Sequence, residues 1–157
     1  GLEHRIGGLE KQDGTGNVSY EPANHEQMTR LRAQKIQAIA QRIPDAFPDS
    51  GNTSGKLVVL GWGSTYGAIK TAVRELLDEG YDVSHVHLRY INPLPANLHM
   101  LLNSYDRILV PEMNCGQLLQ LIRGKFLVPA TGFNKVQGQP FTTGELKQSI
   151  IELYNRK

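Results

Sequence analysis

Lys56-Leu-Val-Val-Leu-Gly-Trp-Gly-Ser-Thr-Tyr-Gly-Ala-Ile-Lys70 decides the fold. Leu57 to Leu60 is an unbroken apolar, partly β-branched run, the pattern of a strand buried on both faces. Gly61 and Gly63 then break it, and Ser64 or Thr65 can cap a following helix by accepting orphan backbone N–H groups of its first turn. Ala68, Ile69, Ala72, Val73, Leu76 and Leu77 form one apolar stripe at the helical period, and Gly80 stands where a left-handed residue closes a helix. Strand, glycine turn and helix make the opening of a βαβ unit.

Working outward, Tyr81 to Tyr90 reads as a second strand ended by Ile91-Asn-Pro-Leu-Pro95, and Leu98, Leu101 and Leu102 mark a short helix. Arg107 to Pro111 is a third strand, and a helix carrying Leu118, Leu119, Leu121, Ile122 and Phe126 follows it. Asn114 and Gln117 have capping-box spacing ahead of that helix. Lys135 to Gln137 is a weak fourth strand, and Thr142 with Glu145 caps a last helix carrying Leu146, Ile150, Leu153 and Tyr154. Alternating strands and helices imply an α/β fold: an open, mostly parallel sheet with helices on both faces.

The N-terminal third is different. Residues 1–23 are glycine-rich, without apolar periodicity, and are expected to be an irregular docking arm. Within them Asp13-Gly14-Thr15-Gly16 lacks a preceding strand and the Gly-Lys-Ser/Thr of a phosphate loop. Residues 24–55 are expected to be a helix and a linker. Asn24 and Gln27 resemble a capping box, Met28, Leu31, Ile36, Ile39 and Ile43 mark the helix, and Pro44 stops it. Its other face carries Arg30, Arg32, Lys35 and Arg42, a solvated face by the simpler reading and a docking surface by the sharper one. Residues 56–157 are the α/β domain.

At 157 residues the chain can bury an ordinary core. A formal charge of +2, without basic runs, gives no argument for nucleic acid or a membrane surface as partner. Cys115 is the single cysteine, so an internal disulfide and an iron–sulfur cluster held by this chain alone are both excluded. No apolar run approaches a membrane span and the N-terminus lacks a signal-peptide pattern, so the chain is expected to be cytoplasmic. It starts at Gly1 inside a polar segment without an initiator methionine, and is expected to belong to something longer.

In open parallel sheets the ligand crevice lies beyond the carboxyl ends of the strands. Three loops belong there: Gly61-Trp-Gly-Ser64, Arg89-Tyr-Ile-Asn-Pro93 and Glu112-Met-Asn-Cys-Gly-Gln117. Their candidate binding residues are Gly61, Gly63, Ser64, Arg89, Glu112, Asn114, Gly116 and Gln117, and the helix N-termini after the first and third loops can receive an anion. Equally, any tight strand-to-helix turn needs glycines and caps. Gly61, Gly63 and Gly67 miss the dinucleotide fingerprint, which wants its third glycine where Tyr66 stands, and Arg89 replaces the acid that would hold the ribose. An arginine there still suits a 2′-phosphate. His85 and His87 have a spacing that can hold a metal, although a satisfied or partly exposed pair is the simpler reading. Cys115, at a predicted helix N-terminus, is expected to be a small packed or capping residue. Glu112 can serve as acid or base, but an ion pair with Arg89 is expected. No catalytic residue and no metal site is assigned.

Taken as a set, five segments resemble one family in order. They are Gly1-Leu-Glu-His-Arg-Ile-Gly-Gly-Leu-Glu-Lys11, Val59-Leu-Gly-Trp-Gly-Ser-Thr-Tyr-Gly67, His87-Leu-Arg-Tyr-Ile-Asn-Pro-Leu-Pro95, Val110-Pro-Glu-Met-Asn-Cys-Gly-Gln117 and Lys135-Val-Gln-Gly-Gln-Pro-Phe141. The chain resembles the C-terminal part of the alpha subunit of 2-oxoglutarate:ferredoxin oxidoreductases. A wider likeness joins it to transketolase C-terminal domains, whose pattern Arg89, Pro93, Glu112 and Gly116 match. The resemblance implies a thiamine diphosphate enzyme that decarboxylates a 2-oxoacid, passes electrons through iron–sulfur clusters to ferredoxin and releases an acyl-coenzyme A. It implies that thiamine diphosphate, Mg²⁺ and the clusters are held elsewhere, by upstream domains of the alpha subunit and by a beta subunit. This chain is then a scaffold and interface domain, inactive alone. Pyruvate and branched-chain 2-oxoacid relatives share the pattern, and a nucleotide-binding or interaction module without a redox role is the alternative.

Overall fold

A computed structural model of the chain describes residues 7–156. Residues 1–6, the start of the first resembling segment and of the expected arm, lie outside the described residues. The chain divides into two compact units, with the boundary between Ile43 and Pro44.

In the first unit, Lys11 and Val18 form an isolated antiparallel bridge around the Asp13–Gly16 turn, where Gly14 and Gly16 hold positive φ. Helix α1 spans Pro22–Ile39 and starts three residues earlier than the Asn24 cap implied, with Glu21 at the N-cap and Pro22 in the first turn. Asn24 and Gln27 are not a capping box. Asn24 donates to Lys11 O (2.9 Å) and accepts from Asp13 N (3.2 Å), while Gln27 donates to Asp13 (2.8 Å), so both tie the arm to the helix. Glu10 does the same through Arg32 (2.9 and 3.0 Å) and His25 (2.8 Å). The Arg32 guanidinium holds the Glu10 carboxyl down to about 2. No residue of α1 is buried.

The second unit is a five-stranded sheet in the order β1-β3-β2-β4-β5. Its strands are β1 Pro48–Ser50, β2 Gly55–Trp62, β3 Val83–Leu88, β4 Tyr105–Glu112 and β5 Thr131–Asn134. β2, β3, β4 and β5 pair in parallel, and β1 pairs with β3 antiparallel. Four helices cover it: α2 Tyr66–Asp78, α3 Leu98–Leu102, α4 Gln117–Phe126 and α5 Thr143–Tyr154. Leu57, Val59, Val83 and Leu109 face α2 and α5 through Ile69, Leu76, Leu146 and Ile150. Val58, Leu60, Val86, Ile108 and Val110 face α3 and α4 through Leu98, Leu102, Leu118 and Ile122. The α/β class with helices on both faces is therefore observed, because the central strands carry apolar residues at both parities.

Local chemistry sets several element ends. α2 ends in a Schellman turn: Gly80 has φ +87°, Tyr81 N donates to Leu76 O (2.9 Å), and Gly80 N to Leu77 O (3.0 Å). The Thr142–Glu145 capping box forms: Glu145 N donates to Thr142 Oγ1 (3.2 Å), and Thr142 N to Glu145 Oε2 (2.7 Å). Lys135 (2.8 Å) holds the Glu145 carboxyl down to about 2.

Three sequence expectations are corrected. The stretch from Pro44 to Gly55, linker-like in composition, contributes strand β1, because an edge strand needs ladder bonds on one side only and so tolerates Pro48. The last strand is Thr131–Asn134, not Lys135–Gln137. A Cβ at Gly132 would stand 2.6 Å from Leu119 Cδ2, so the glycine lets α4 close onto the sheet. Gly61 is no turn residue. It lies inside β2, buried, and paired with His87 of β3.

Candidate functional site

β2 neighbours both β3 and β4, so the chain reverses its direction across the sheet between β2 and β4. That is the switch point at which ligand crevices form in such sheets. The turn after β2 and the turn after β4 meet there around a cavity of about 200 Å³, lined by Trp62, Gly63, Ser64, Thr65, Met113 and Asn114. Ser64 Oγ lies 3.8 Å from Met113 Sδ across it. Gly63 holds φ +58°, which turns the chain away from the strand.

The two helix N-termini at this crevice differ. At α2, neither Ser64 nor Thr65 caps the helix, against expectation. Thr65 Oγ1 instead folds back on Trp62, accepting from its N–H (3.3 Å) and donating to its carbonyl (2.8 Å), and Ser64 is exposed. At α4 the chain supplies its own anion. Glu112, the last residue of β4 and fully buried, accepts from Leu118 N (2.8 Å) and Leu119 N (3.0 Å). It also accepts from Trp62 Nε1 and Asn114 Nδ2, both at 3.2 Å. Asn114 Oδ1 takes Gly116 N (2.7 Å) and Gln117 N (3.0 Å). Together the two side chains satisfy the opening donors of α4 and place a carboxylate at the positive end of its dipole.

This corrects the expected Glu112–Arg89 ion pair. Glu112 is sealed beneath α4, whereas Arg89 is exposed at the end of β3. Arg89 lines a different cavity, of about 310 Å³, together with Pro44, Phe47, Asp49, His87 and Tyr90. Of the other candidates, Gly63, Ser64 and Asn114 share the crevice. Gly116 is the buried N-cap of α4 with φ +91°, and Gln117 is exposed at its first position, with only its backbone N–H engaged by Asn114. Gly61 sits deeper, under α2. Cys115 is exposed in the turn rather than packed.

Of the histidine pair, His87 is partly exposed and His85 is not satisfied. His85 is fully buried with both ring nitrogens unpartnered, and burial pushes its imidazole down to about 4. Among the described residues no three His, Cys, Asp or Glu side chains converge on a metal position. Sequence reasoning missed Trp62 and Met113 as crevice walls. The period-two alternation of Val58, Leu60 and Trp62 carried the signal for the first, since it puts the indole on the face that Glu112 occupies.

Comparison with known proteins bears on the family and the fold. The model of the pyruvate:ferredoxin oxidoreductase core domain II family matches residues 55–144. The 2-oxoglutarate oxidoreductase subunit KorA of Mycobacterium tuberculosis is 47% identical over 150 residues, covering 96% of this chain and 23% of that protein. The alpha subunit of the 2-oxoacid:ferredoxin oxidoreductase of Saccharolobus solfataricus is 31% identical over 148 residues, covering 90% of this chain and 23% of that protein. Among solved structures, the 2-oxoglutarate:ferredoxin oxidoreductase from Magnetococcus marinus with 2-oxoglutarate, coenzyme A and succinyl-CoA bound superposes with a TM-score of 0.87 at 27% identity. That match covers 98% of this chain and 27% of that one. This chain thus spans about a quarter of the length of these relatives. Among the described residues no helix is long and apolar enough to cross a membrane.

Proposed function

This chain belongs to the pyruvate:ferredoxin oxidoreductase core domain II family, and from that premise we propose that it is a scaffold and interface domain in the alpha subunit of a thiamine diphosphate-dependent 2-oxoglutarate:ferredoxin oxidoreductase. The complete enzyme would convert 2-oxoglutarate, coenzyme A and oxidised ferredoxin to succinyl-CoA, CO₂ and reduced ferredoxin. Upstream domains of the same subunit and a beta subunit would be its partners.

One observation carries the scaffold role. The α4 N-terminus, the natural cradle for a diphosphate in this crevice, is already filled by the carboxylate of Glu112. A cofactor diphosphate brought to the same donors would face a buried anion. The residues of this chain therefore do not fit thiamine diphosphate and its Mg²⁺, and with one cysteine they do not fit an iron–sulfur cluster. We assign both to the other domains. What this chain contributes is a rigid strand-end surface, with the turns after β2 and β4 fixed to each other through the Trp62–Glu112–Asn114 bonds. The cavity at the surface, about 200 Å³, is smaller than the ~300–1,000 Å³ of ordinary ligand pockets.

The test is made in the complete alpha–beta enzyme with Ser64→Ala. A scaffold leaves kcat and the KM for coenzyme A within about twofold, with assembly unchanged by gel filtration. A tenfold rise in the coenzyme A KM with the complex intact, about 1.4 kcal/mol of lost binding, would make the crevice a ligand site instead.

A further inference from the structure

The buried side-chain nitrogens that lack a partner among the described residues are Nδ1 and Nε2 of His85 and Nδ1 of His87. Either tautomer of a neutral imidazole carries one N–H and one lone pair, so both polar needs of His85 go unmet in the closed structure. The two rings lie 5.6 Å apart on the α2 face of β3, with the Tyr66 ring 5.5 Å from His85 and 4.9 Å from His87. Beside them in the sheet, as its edge, runs β1, the shortest of the five strands. It pairs with β3 only at Pro48–Val86 and Ser50–His85, with an irregularity between. Asp49 supplies the side-chain ties: Oδ2 accepts from His87 N (3.2 Å) and Oδ1 from Tyr66 OH (3.4 Å).

We propose that Phe47–Gly51 is an acid-released latch: protonation of the His85–His87 pair frees the β1 edge from β3 while the other four strands stay paired. Two anchors bound the moving segment. Asn97 clamps Ala46 with two 2.8 Å bonds, and Ser84 Oγ accepts from Asn52 N and donates to Asn52 O, both at 3.0 Å. Between those anchors, among the described residues, the hydrogen bonds from this segment to the rest of the unit are those of Asp49 and the short ladder.

The charges around the rings decide the direction. Asp49, from β1, favours a protonated imidazole. Lys70, from α2 and 3.1 Å from Tyr66 OH, opposes it at His85, Arg89 opposes it at His87, and His87 opposes it at His85. Burial is the largest influence on both rings and also opposes it. The closed form therefore binds protons more weakly than a form in which β1 has lifted and water reaches the rings. Acid favours whichever form binds the proton, so the latch loosens as pH falls below about 6.5. The cavity beside His87 and Arg89, whose wall includes Phe47 and Asp49, widens as it does so.

Hydrogen exchange of the 157-residue chain at pH 7 and pH 5, corrected for intrinsic exchange, tests this. One imidazole whose proton affinity rises from about 4 to 6.5 on opening lowers local protection by about twentyfold. That loss is expected in residues 47–51 and at the His87 amide, with β2 and β4 unchanged. His85→Phe is expected to make protection of the same segment largely independent of pH. In the wild type, which needs no variant to fold, unchanged protection of residues 47–51 overturns the proposal. So does a uniform loss across β2, β3 and β4, which would be global unfolding.

Discussion

Replacing Glu112 with alanine is expected to destabilise the α/β unit by about 3–5 kcal/mol, because each buried donor left without its acceptor costs about 1–3 kcal/mol. Leu118 N, Leu119 N, Trp62 Nε1 and Asn114 Nδ2 all lose their acceptor, and the residue is fully buried, so water does not replace it. Glu112→Gln keeps the volume but turns an NH₂ group toward donors, and about 1–3 kcal/mol is expected. Urea unfolding measures both: the midpoint falls in that order while the slope stays constant. Equal, small effects below about 1 kcal/mol would mean that the α4 N-terminus does not depend on this carboxylate.

Gly61→Val is the second large effect. A Cβ at Gly61 would lie 2.6 Å from Ile69 Cδ1, 3.0 Å from His87 Nδ1 and 3.2 Å from Thr65 Oγ1. Three elements thus close on one hydrogen atom, and the two further methyl groups of valine have nowhere to go. Overpacking of this kind costs about 1–3 kcal/mol, and we expect the upper end. The contact with Ile69 is the tightest, so trimming it should relieve the rest. Gly61→Ala combined with Ile69→Val is expected to be more stable than the sum of the single changes implies, by about 1 kcal/mol in a double-mutant cycle. Strict additivity would show that Gly61 serves something other than the approach of α2.

What the sequence made legible was chemistry that is local along the chain. The Thr142–Glu145 box, the Gly80 turn and the Ile69–Leu76 stripe each depend on residues within a few positions, and each forms. Relations across the chain stayed hidden. Glu112 borders the predicted Asn114–Gln117 cap, but its indole partner Trp62 lies fifty residues upstream, so it looked free to pair with Arg89. A strand glycine misled for the same reason. Gly61 read as a break because its function, room for Ile69, belongs to a residue on another element. β1 was invisible because an edge strand of three residues has no period to detect. Of the candidate residues, Gly63, Ser64 and Asn114 converge on one crevice because all three flank β2 or β4, the strands at the switch point. Arg89 goes to another cavity because β3 lies one strand further out.

The most direct measurement is ferredoxin reduction by the complete alpha–beta enzyme that carries this domain, with 2-oxoglutarate and pyruvate compared as substrates. The expected result is 2-oxoglutarate-dependent reduction that requires coenzyme A, with pyruvate turned over far more slowly and no reduction of nicotinamide cofactors. Efficient reduction of a nicotinamide cofactor, or turnover indifferent to any 2-oxoacid, would contradict it.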